Sequence, residues 1–330
     1  MVRQIIPLLA ALVVGCGAPQ ATLSVPDVHV VFAGGGDLSA GVAWLDANEL
    51  IVSIGTDPGN RLFIVEVGTG AARPFHGPES ARVCARTDDL SPSTGSGALI
   101  WLHVCVNGPA PRQYDVDRLN PDGSFEVIGS LATPFPVSGL VLDGDVLMTA
   151  YGSQFCETMI KIGPTGLEPY AVEVAGPDAT YNTGGDVRAD CDRMGVTMLP
   201  ALHGDALAFM ASTSALVHDM QARLAQPFDL YLAGVGQSTS TRVPVEIVDP
   251  GDLLWLADGG HVLVSGEKPI GTGGTWRVDT TTGAMTLVFP FVARSLSLSP
   301  DGTMYAALRS TGAALPAHEV VIFPASVVLP

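Results

Sequence analysis

The sequence predicts an all-β fold made of short hairpins, and three observations predict it. First, glycine and proline are abundant, with 38 and 25 of the 330 residues, which favours many turns over long helices. Second, an apolar strand, a tight polar turn and another apolar strand recur along the chain. Third, the copies lie about 51 residues apart, a period typical of solenoids, propellers and other arrays.

The recurring hairpin places Asp, Asn or Gly between its two apolar strands, and these residues tolerate the positive φ of tight turns. A looser copy runs through 81–86, a turn at 91–95 and a strand at 98–106. A second hairpin follows in most units, so that each unit has four antiparallel strands, which is the blade of a propeller. The clear copies of the first hairpin span 42–54, 140–150, 199–211, 253–265 and 296–308, and the second hairpin has Gly70, Gly123, Gly166 or Gly283 in its turn.

The predicted fold class is therefore a six-bladed β-propeller of four-stranded antiparallel blades, closed by an N-terminal strand. The sixth unit lacks an outer strand after 319–323, and an unassigned strand lies at 28–33, ahead of the first unit. Placing 28–33 beside 319–323 closes the ring and covers an edge that would otherwise invite aggregation. A β-sandwich or two smaller β domains are the alternatives that the same hairpins leave open.

The last hairpin carries the turn Ser299-Pro300-Asp301-Gly302, and the other turns are degenerate forms of it. This hairpin resembles the repeat of TolB-like and WD40-like six-bladed propellers, in which such a turn joins the two inner strands. The resemblance implies the architecture of residues 28–324. It implies no function, because propellers carry binding, scaffolding and several chemistries.

The first 16 residues are typical of an export signal. The apolar stretch from Ile5 to Val14 is shorter than the roughly 20 residues of a membrane-spanning helix and has the length of a secretory core region. It ends in Val13-Val14-Gly15-Cys16, which resembles the lipobox of bacterial lipoproteins and implies acylation of Cys16. An ordinary signal peptide is the alternative.

The leader defines the predicted domains and compartment. We expect 1–15 to be a lipoprotein signal peptide, 16–27 a lipidated tether and 28–330 the propeller domain. The protein is then exported to the bacterial cell envelope and meets a membrane only through its lipid anchor, on the outer membrane or on the outer face of the plasma membrane.

Four cysteines remain beyond Cys16, an even number that suits an oxidising compartment. Four cysteines allow three pairings. The predicted hairpins place Cys84 and Cys105 on neighbouring strands and Cys156 near the loop that holds Cys191, which favours these two disulfides. Free buried thiols are the alternative.

Two segments break the period, at 174–195 and 212–228, and the predicted topology places both on one face around the fourth unit. Long loops in a compact domain are usually functional or disordered. Their mixture of aromatic, basic and acidic residues is typical of an interface rim. The predicted binding residues are Tyr181, Asp186, Arg188, Asp190, Asp192, His218, Asp219, Arg223 and, in the corresponding loop of the fifth unit, Lys268.

Charge and motifs narrow the function. A formal charge of −17 repels phosphate backbones, so we expect no nucleic-acid partner. The sequence has no GxSxG, HExxH or P-loop motif, and we predict no catalytic residue. We predict no cofactor, although the carboxylates of Asp186, Asp190 and Asp192 are of the type that binds Ca²⁺.

The function predicted from the sequence is that of a non-enzymatic binding or scaffold protein for an envelope protein or glycan. One alternative is a divalent-cation-dependent hydrolase or lactonase on the same fold, which needs carboxylates and amides from several blades to converge at the channel entrance. Another is a structural lipoprotein that binds the cell wall.

Overall fold

The computed structural model describes an all-β chain. In the described residues there is no α-helix, one 3-10 helix at Ala325–Val327, and no helix long and apolar enough to cross a membrane. The described residues are 27–33, 41–56, 59–75, 91–95, 98–105, 112–119, 124–133, 137–143, 146–153, 156–163, 166–177, 180–184, 196–213, 225–269, 273–311 and 318–329.

The strands are short, as the frequent turns predict. Those of the first half are β1 (His29–Phe32), β2 (Val42–Trp44), β3 (Glu49–Thr56), β4 (Gly59–Glu66), β5 (Ala72–Pro74), β6 (Ser91–Gly95), β7 (Ala98–Cys105), β8 (Arg112–Leu119), β9 (Phe125–Thr133), β10 (Val137–Asp143), β11 (Val146–Ser153), β12 (Cys156–Gly163) and β13 (Gly166–Pro169). Those of the second half are β14 (Glu173–Ala175), β15 (Thr180–Asn182), β16 (Val196–His203), β17 (Ala206–Ser212), β18 (Phe228–Gly234), β19 (Thr241–Trp255), β20 (His261–Glu267), β21 (Gly273–Asp279), β22 (Met285–Phe289), β23 (Ala293–Leu298), β24 (Met304–Ser310) and β25 (His318–Pro324).

The strands form antiparallel meanders of four. Three sheets contain β2–β5, β6–β9 and β10–β13, and a fourth contains β23, β24, β25 and β1 in that spatial order. Strands β16–β22 form one seven-stranded sheet, because the long β19 pairs with β18 through Thr241–Ile247 and with β20 through Val248–Trp255. Strand β19 therefore belongs to two four-stranded units, and β14 and β15 form a separate hairpin.

The five clear hairpins predicted from the sequence are confirmed as the strand pairs β2–β3, β10–β11, β16–β17, β19–β20 and β23–β24. Their signal is local, since alternating apolar residues flank a turn that needs a left-handed backbone. Gly204, Gly259 and Gly302 supply it, with φ of 56°, 63° and 72°.

The looser second copy was placed wrongly. Residues 91–95, predicted as a turn, form strand β6 and pair with β7 from Ser91↔Leu102 to Gly95↔Ala98. Their Ser, Thr and Gly composition is typical of a turn, but the pairing partner in β7 decides their structure. Residues 81–86, predicted as the inner strand, lie outside the described residues.

The predicted pairing of the chain ends is observed. Strand β1 runs antiparallel to β25, with His29 opposite Ile322 and Phe32 opposite Val320. The register shifts between Val30 and Phe32, so that this short pairing is irregular. It covers the edge of β25, where Val320 and Val321 are fully buried.

The inner strands of successive sheets lie against one another. Strands β2, β6, β10, β16, β19 and β23 are in contact in this order, and β23 also contacts β2. These inner strands all start at the same end of the molecule. We call it the insertion end, because the connection 185–195 enters β16 there and the connection 214–224 leaves β17 there. The opposite end, with the hairpin turns at 45–48, 257–260 and 299–303, is called the turn end.

Candidate functional site

The β14–β15 hairpin, which belongs to the first predicted insertion, is packed between two sheets rather than projecting from them. Its Val174 and Tyr181 belong to an apolar cluster with Met159 of β12 and with Leu207 and Phe209 of β17. Hydrogen bonds also fix the hairpin to the turn between β18 and β19, where the amide of Glu173 donates to the carbonyl of Ser238 at 2.8 Å. The sequence gives the length of this insertion but not its packing.

Tyr181, predicted as a surface binding residue, is buried in this position. Its hydroxyl contacts the carbonyl of Val196 at 3.1 Å, the hydroxyl of Thr197 at 2.9 Å and the carbonyl of Ser212 at 3.3 Å. Burial raises the pKa of the Tyr181 hydroxyl, so it stays protonated. Tyr181 therefore joins the hairpin to strands β16 and β17. An aromatic ring with a polar hydroxyl suits this structural role as well as it suits a binding surface.

We expect Tyr181→Phe to lower the free energy of unfolding by about 1–3 kcal/mol, because it leaves buried polar groups without their shared partner. Urea denaturation followed by tryptophan fluorescence measures the change. The matched control is Tyr170→Phe, which removes a hydroxyl that accepts from the amide of Gly236 at an exposed position. An effect of Tyr181→Phe no larger than that of this control would contradict the buried network.

Lys268, the other described member of the predicted binding set, is half-buried. Its ammonium donates to the carbonyl of Val245 at 2.5 Å, lies 3.3 Å from the sulfur of Met285 and sits 5.7 Å from the ring centroid of Trp276. Burial lowers the pKa of Lys268, opposed by the charges of Glu246 and Asp229. These contacts tie Lys268 to strands β19, β21 and β22 of its own sheet.

The remaining predicted residues lie outside the described residues, so their binding role stays a prediction. They are Asp186, Arg188, Asp190, Asp192, His218, Asp219 and Arg223. The Ca²⁺ prediction rests on three of them and also stays a prediction. Among the residues that the structure describes, no cluster of three or more His, Cys, Asp or Glu side chains could hold a metal ion.

The disulfide predictions also involve residues that are not described. Cys84 and Cys191 lie outside the described ranges, whereas Cys105 ends β7 and Cys156 starts β12. The inner neighbour of β7 is β6, so the argument that placed Cys84 on that neighbour no longer holds. Both pairings stay predictions.

The structure adds a charged group that the sequence reasoning missed, at the insertion end of two inner strands. The carboxylate of Asp252 on β19 accepts from the amide of Leu253 at 2.8 Å and from the amide of Leu296 on β23. Nearby, Arg294 and Asp249 form an exposed ion pair at 3.5 Å. The available signal was an acid directly ahead of the apolar run 253–256, where a core strand was predicted.

Asp252 is one of several polar groups that join neighbouring inner strands. Ser295 on β23 occupies the corresponding position in the next unit, where its hydroxyl accepts from the amide of Val42 at 2.8 Å. Trp44 donates its indole N–H to the carbonyl of Ser297 at 3.1 Å. The matching Trp255 donates to the carbonyl of Ala201, also at 3.1 Å.

The two tryptophans lie at matching places in the repeat, pack in the core and join neighbouring inner strands through their indole hydrogen bonds. Trp44 is 2% and Trp255 8% exposed. Hydrogen bonds between neighbouring inner strands thus join the sheets, and the bond from the amide of Leu296 to the carboxylate of Asp252 is one of them.

Asp252 is partly buried, and the loss of solvent around its carboxyl raises its pKa to about 6, although the amides of Leu296 and Leu253 and the charge of Arg294 lower it. The folded protein therefore holds the proton more tightly than the unfolded chain. Stability from this group is fully present below the unfolded pKa of 3.8 and is lost as the pH rises through about 6.

We expect Asp252→Asn to remove this dependence on pH. The wild type should be more stable relative to the variant at pH 4 than at pH 7, by at most about 3 kcal/mol. Denaturation of both proteins at the two pH values measures the difference in unfolding free energy. Other titrating groups, such as Asp117 with its raised pKa, are present in both proteins, so their contributions cancel in this difference. A difference that does not change with pH would contradict the burial of this acid.

Comparisons with known proteins identify the fold class. No family model and no curated protein matches the chain. A gluconolactonase from Xanthomonas campestris is similar in structure, with a TM-score of 0.51 at 13% identity over 90% of this chain and 89% of that one. A glucose dehydrogenase is similar with a TM-score of 0.51 at 14% identity, over 90% and 98% of the two chains.

TolB from Acinetobacter baumannii is also similar, with a TM-score of 0.46 at 13% identity over 87% of this chain and 66% of that one. The neighbours are propeller-type folds, so the all-β prediction is confirmed and the chain has a fold of propeller type. At such low identities the likeness shows the fold alone.

Proposed function

We propose that the protein is an exported lipoprotein whose six-bladed β-propeller binds an envelope protein or glycan through its insertion end, without catalysis. One observation carries this proposal. The β14–β15 hairpin is fixed by hydrogen bonds and apolar packing to the sheets on both sides, and it leads directly into residues 185–195. A rigid support suits a binding surface, because a loop held at a fixed base loses less conformational entropy when a partner binds it.

The six-bladed ring in this proposal is supported by the contacts at the inner edge. Six four-stranded units are obtained when β19 is counted in both of its pairings. The first and last units meet through Trp44 and Ser297, which are 253 positions apart in the sequence. The pairing of β1 with β25 then completes the last unit with a strand from the other end of the chain.

The lipid anchor makes its own prediction. We expect Cys16→Ala to release the protein from the membrane fraction, because acyl chains on Cys16 supply the membrane affinity and two or three chains hold firmly. Fractionation and mass analysis of the N-terminal peptide measure the change. Serine at the same position should behave like alanine, and a Cys16→Ala protein that is just as firmly membrane-bound would contradict the anchor.

The binding proposal is tested by capturing the intact lipoprotein from bacterial envelopes in mild detergent after cross-linking, with and without a chelator. We expect one defined protein or glycan to be enriched, and to survive chelation if Ca²⁺ has no role. Loss on chelation would assign Ca²⁺ to the binding surface. Absence of any enriched partner, together with turnover of a lactone, would overturn binding in favour of catalysis.

A second candidate is a divalent-cation-dependent hydrolase or lactonase, and the Asp252 site favours it. A carboxyl with a pKa near 6 is suited to general acid–base chemistry, and Arg294 and Asp249 lie beside it. The similar gluconolactonase shares the fold but not, at 13% identity, a demonstrated site. Lactone hydrolysis that requires Mn²⁺ or Ca²⁺ and disappears in Asp252→Asn would establish this candidate, whereas the binding proposal expects no turnover.

A further inference from the structure

The outer edge of strand β22 presents backbone groups that are open to pairing. In the described part of the chain β22 ends its sheet, with β21 on one side and no strand on the other. The amide of Asp279 donates to the carbonyl of Ala284 at 2.9 Å, next to the pair Val278↔Met285. Because backbone groups alternate in direction along an antiparallel strand, those of Met285 and Leu287 point away from β21, toward the open edge.

The side chain of Leu287 makes this edge apolar, since it is 54% exposed. It lies beside the ring of Trp276, above Gly274. A Cβ atom added at Gly274 would lie 2.8 Å from Cδ1 of Leu287 and 2.9 Å from Cζ2 of Trp276. This contact holds the leucine in place, so that little conformational entropy is lost when a second apolar surface covers it.

The other outer strands carry devices that prevent edge-to-edge pairing, and β22 does not. Short or irregular strands, prolines and charged residues all discourage another strand from joining an open edge. Strand β1 is only four residues long, and its register is broken. The sequence of β22 is Met-Thr-Leu-Val-Phe, with neither proline nor charge. The remaining outer strands contain at least one such residue: Arg73 and Pro74 in β5, Glu126 in β9, Glu168 and Pro169 in β13, and Arg242, Pro244 and Glu246 in the first half of β19.

We infer that β22 pairs with β22 of a second copy of this chain, in an antiparallel dimer. A two-fold axis at Leu287 places it opposite Leu287 of the partner subunit, so that the outward amide of each donates to the outward carbonyl of the other. The two leucine side chains then lie on the same face of the joined sheet and cover each other. No like charges face each other within the paired strands, since β22 has none. The described part of each molecule offers one such edge, so association stops at two copies.

Charge and size limit the strength of this dimer. The chain has a formal charge of −17, which opposes association, but two cations lie near this edge. The ammonium of Lys268 is 3.3 Å from the sulfur of Met285, and Arg277 is opposite Thr286 on the neighbouring strand. A pair of five-residue strands is small compared with the interfaces of about 1,200 Å² or more that stable complexes bury, so we expect a reversible dimer.

Self-association is measured by sedimentation velocity of the intact protein in mild detergent, over a concentration series at about 0.15 M salt. We expect the parent to shift from monomer to dimer as its concentration rises. Leu287→Lys places two like charges opposite each other and should weaken the dimer at least about tenfold. The matched control is Val127→Lys, at a position that is 58% exposed on the outer strand β9, and it should associate like the parent.

Cross-linking tests the same pairing without adding charge. Leu287→Cys should give a covalent dimer with a short bismaleimide, well above the background that the native cysteines give in the parent, because its two thiols face each other across the axis. Val127→Cys should give only that background. A parent that stays monomeric at every concentration, or a Leu287→Lys protein that associates as strongly as Val127→Lys, would overturn the inference. Either result would leave the proposed function intact, because the pairing uses neither the lipid anchor nor the predicted binding loops.

Discussion

Replacing Trp44 by alanine should lower the free energy of unfolding by about 3–5 kcal/mol, the range typical of a buried tryptophan. The side chain is 2% exposed and packs in a cluster that joins β2 and β3 to Ala306 and Leu308 of the last unit. Its indole N–H also donates to the carbonyl of Ser297. Chemical denaturation measures the loss, which combines a cavity with the loss of the indole hydrogen bond to Ser297.

Trp44→Phe is the informative control, because it keeps most of the apolar contact and removes the indole hydrogen bond. We expect an intermediate cost, of about 1–3 kcal/mol. Trp255→Ala, at the matching place in the fifth unit, should cost about as much as Trp44→Ala. If Trp44→Ala costs under about 1 kcal/mol, the contact between the first and last units is not present in solution.

Deleting residues 17–33 should lower the melting temperature by about 5–10 °C and promote aggregation, since it removes the outer strand of the last sheet. Strand β25 then presents an open edge whose Val320 and Val321 are fully buried in the parent. Phe32 and Val31 also leave the apolar cluster around Trp44. Differential scanning calorimetry and size-exclusion chromatography measure the two effects.

A shorter deletion, of residues 17–26, is the matched control because it removes the tether and leaves β1 intact. This variant should melt with the parent and stay monodisperse. A 17–33 deletion that is as stable and as soluble as the 17–26 deletion would show that the pairing of β1 with β25 contributes nothing to the fold.

The sequence predicted the hairpins well because their signals are local. Apolar alternation and an Asp-Gly turn specify two strands within about a dozen residues, as at 296–308, where Gly302 adopts the expected positive φ. The clasp of β1 on β25 was also predictable, since an unpaired strand and a missing strand stood at opposite ends of a regular repeat. Both inferences use periodicity rather than long-range contacts.

What could not be predicted depends on contacts between distant segments. Residues 91–95 have the composition of a turn, but β7 recruits them as a strand. Tyr181 has the character of an interface residue, but its hydroxyl meets carbonyls at Val196 and Ser212 that only the folded hairpin brings near. The carboxylate of Asp252 joins two inner strands only because the fold brings the amide of Leu296 on β23 next to it.

The central claim is that the insertion end binds the partner, and loop replacement tests it most directly. Residues 185–190 and, separately, 214–224 are replaced by Gly-Ser linkers of equal length, which retains Tyr181 and Cys191. The control replaces the exposed Asp205 of the turn end by serine. Binding of the captured partner to each purified variant is then measured by surface plasmon resonance.

We expect both loop variants to keep the melting temperature of the parent and to lose at least about tenfold in affinity, which is about 1.4 kcal/mol. Asp205→Ser should bind like the parent. Undiminished binding by both loop variants, or loss of binding in Asp205→Ser alone, would contradict the claim and move the site to the turn end or to the inner edge around Asp252.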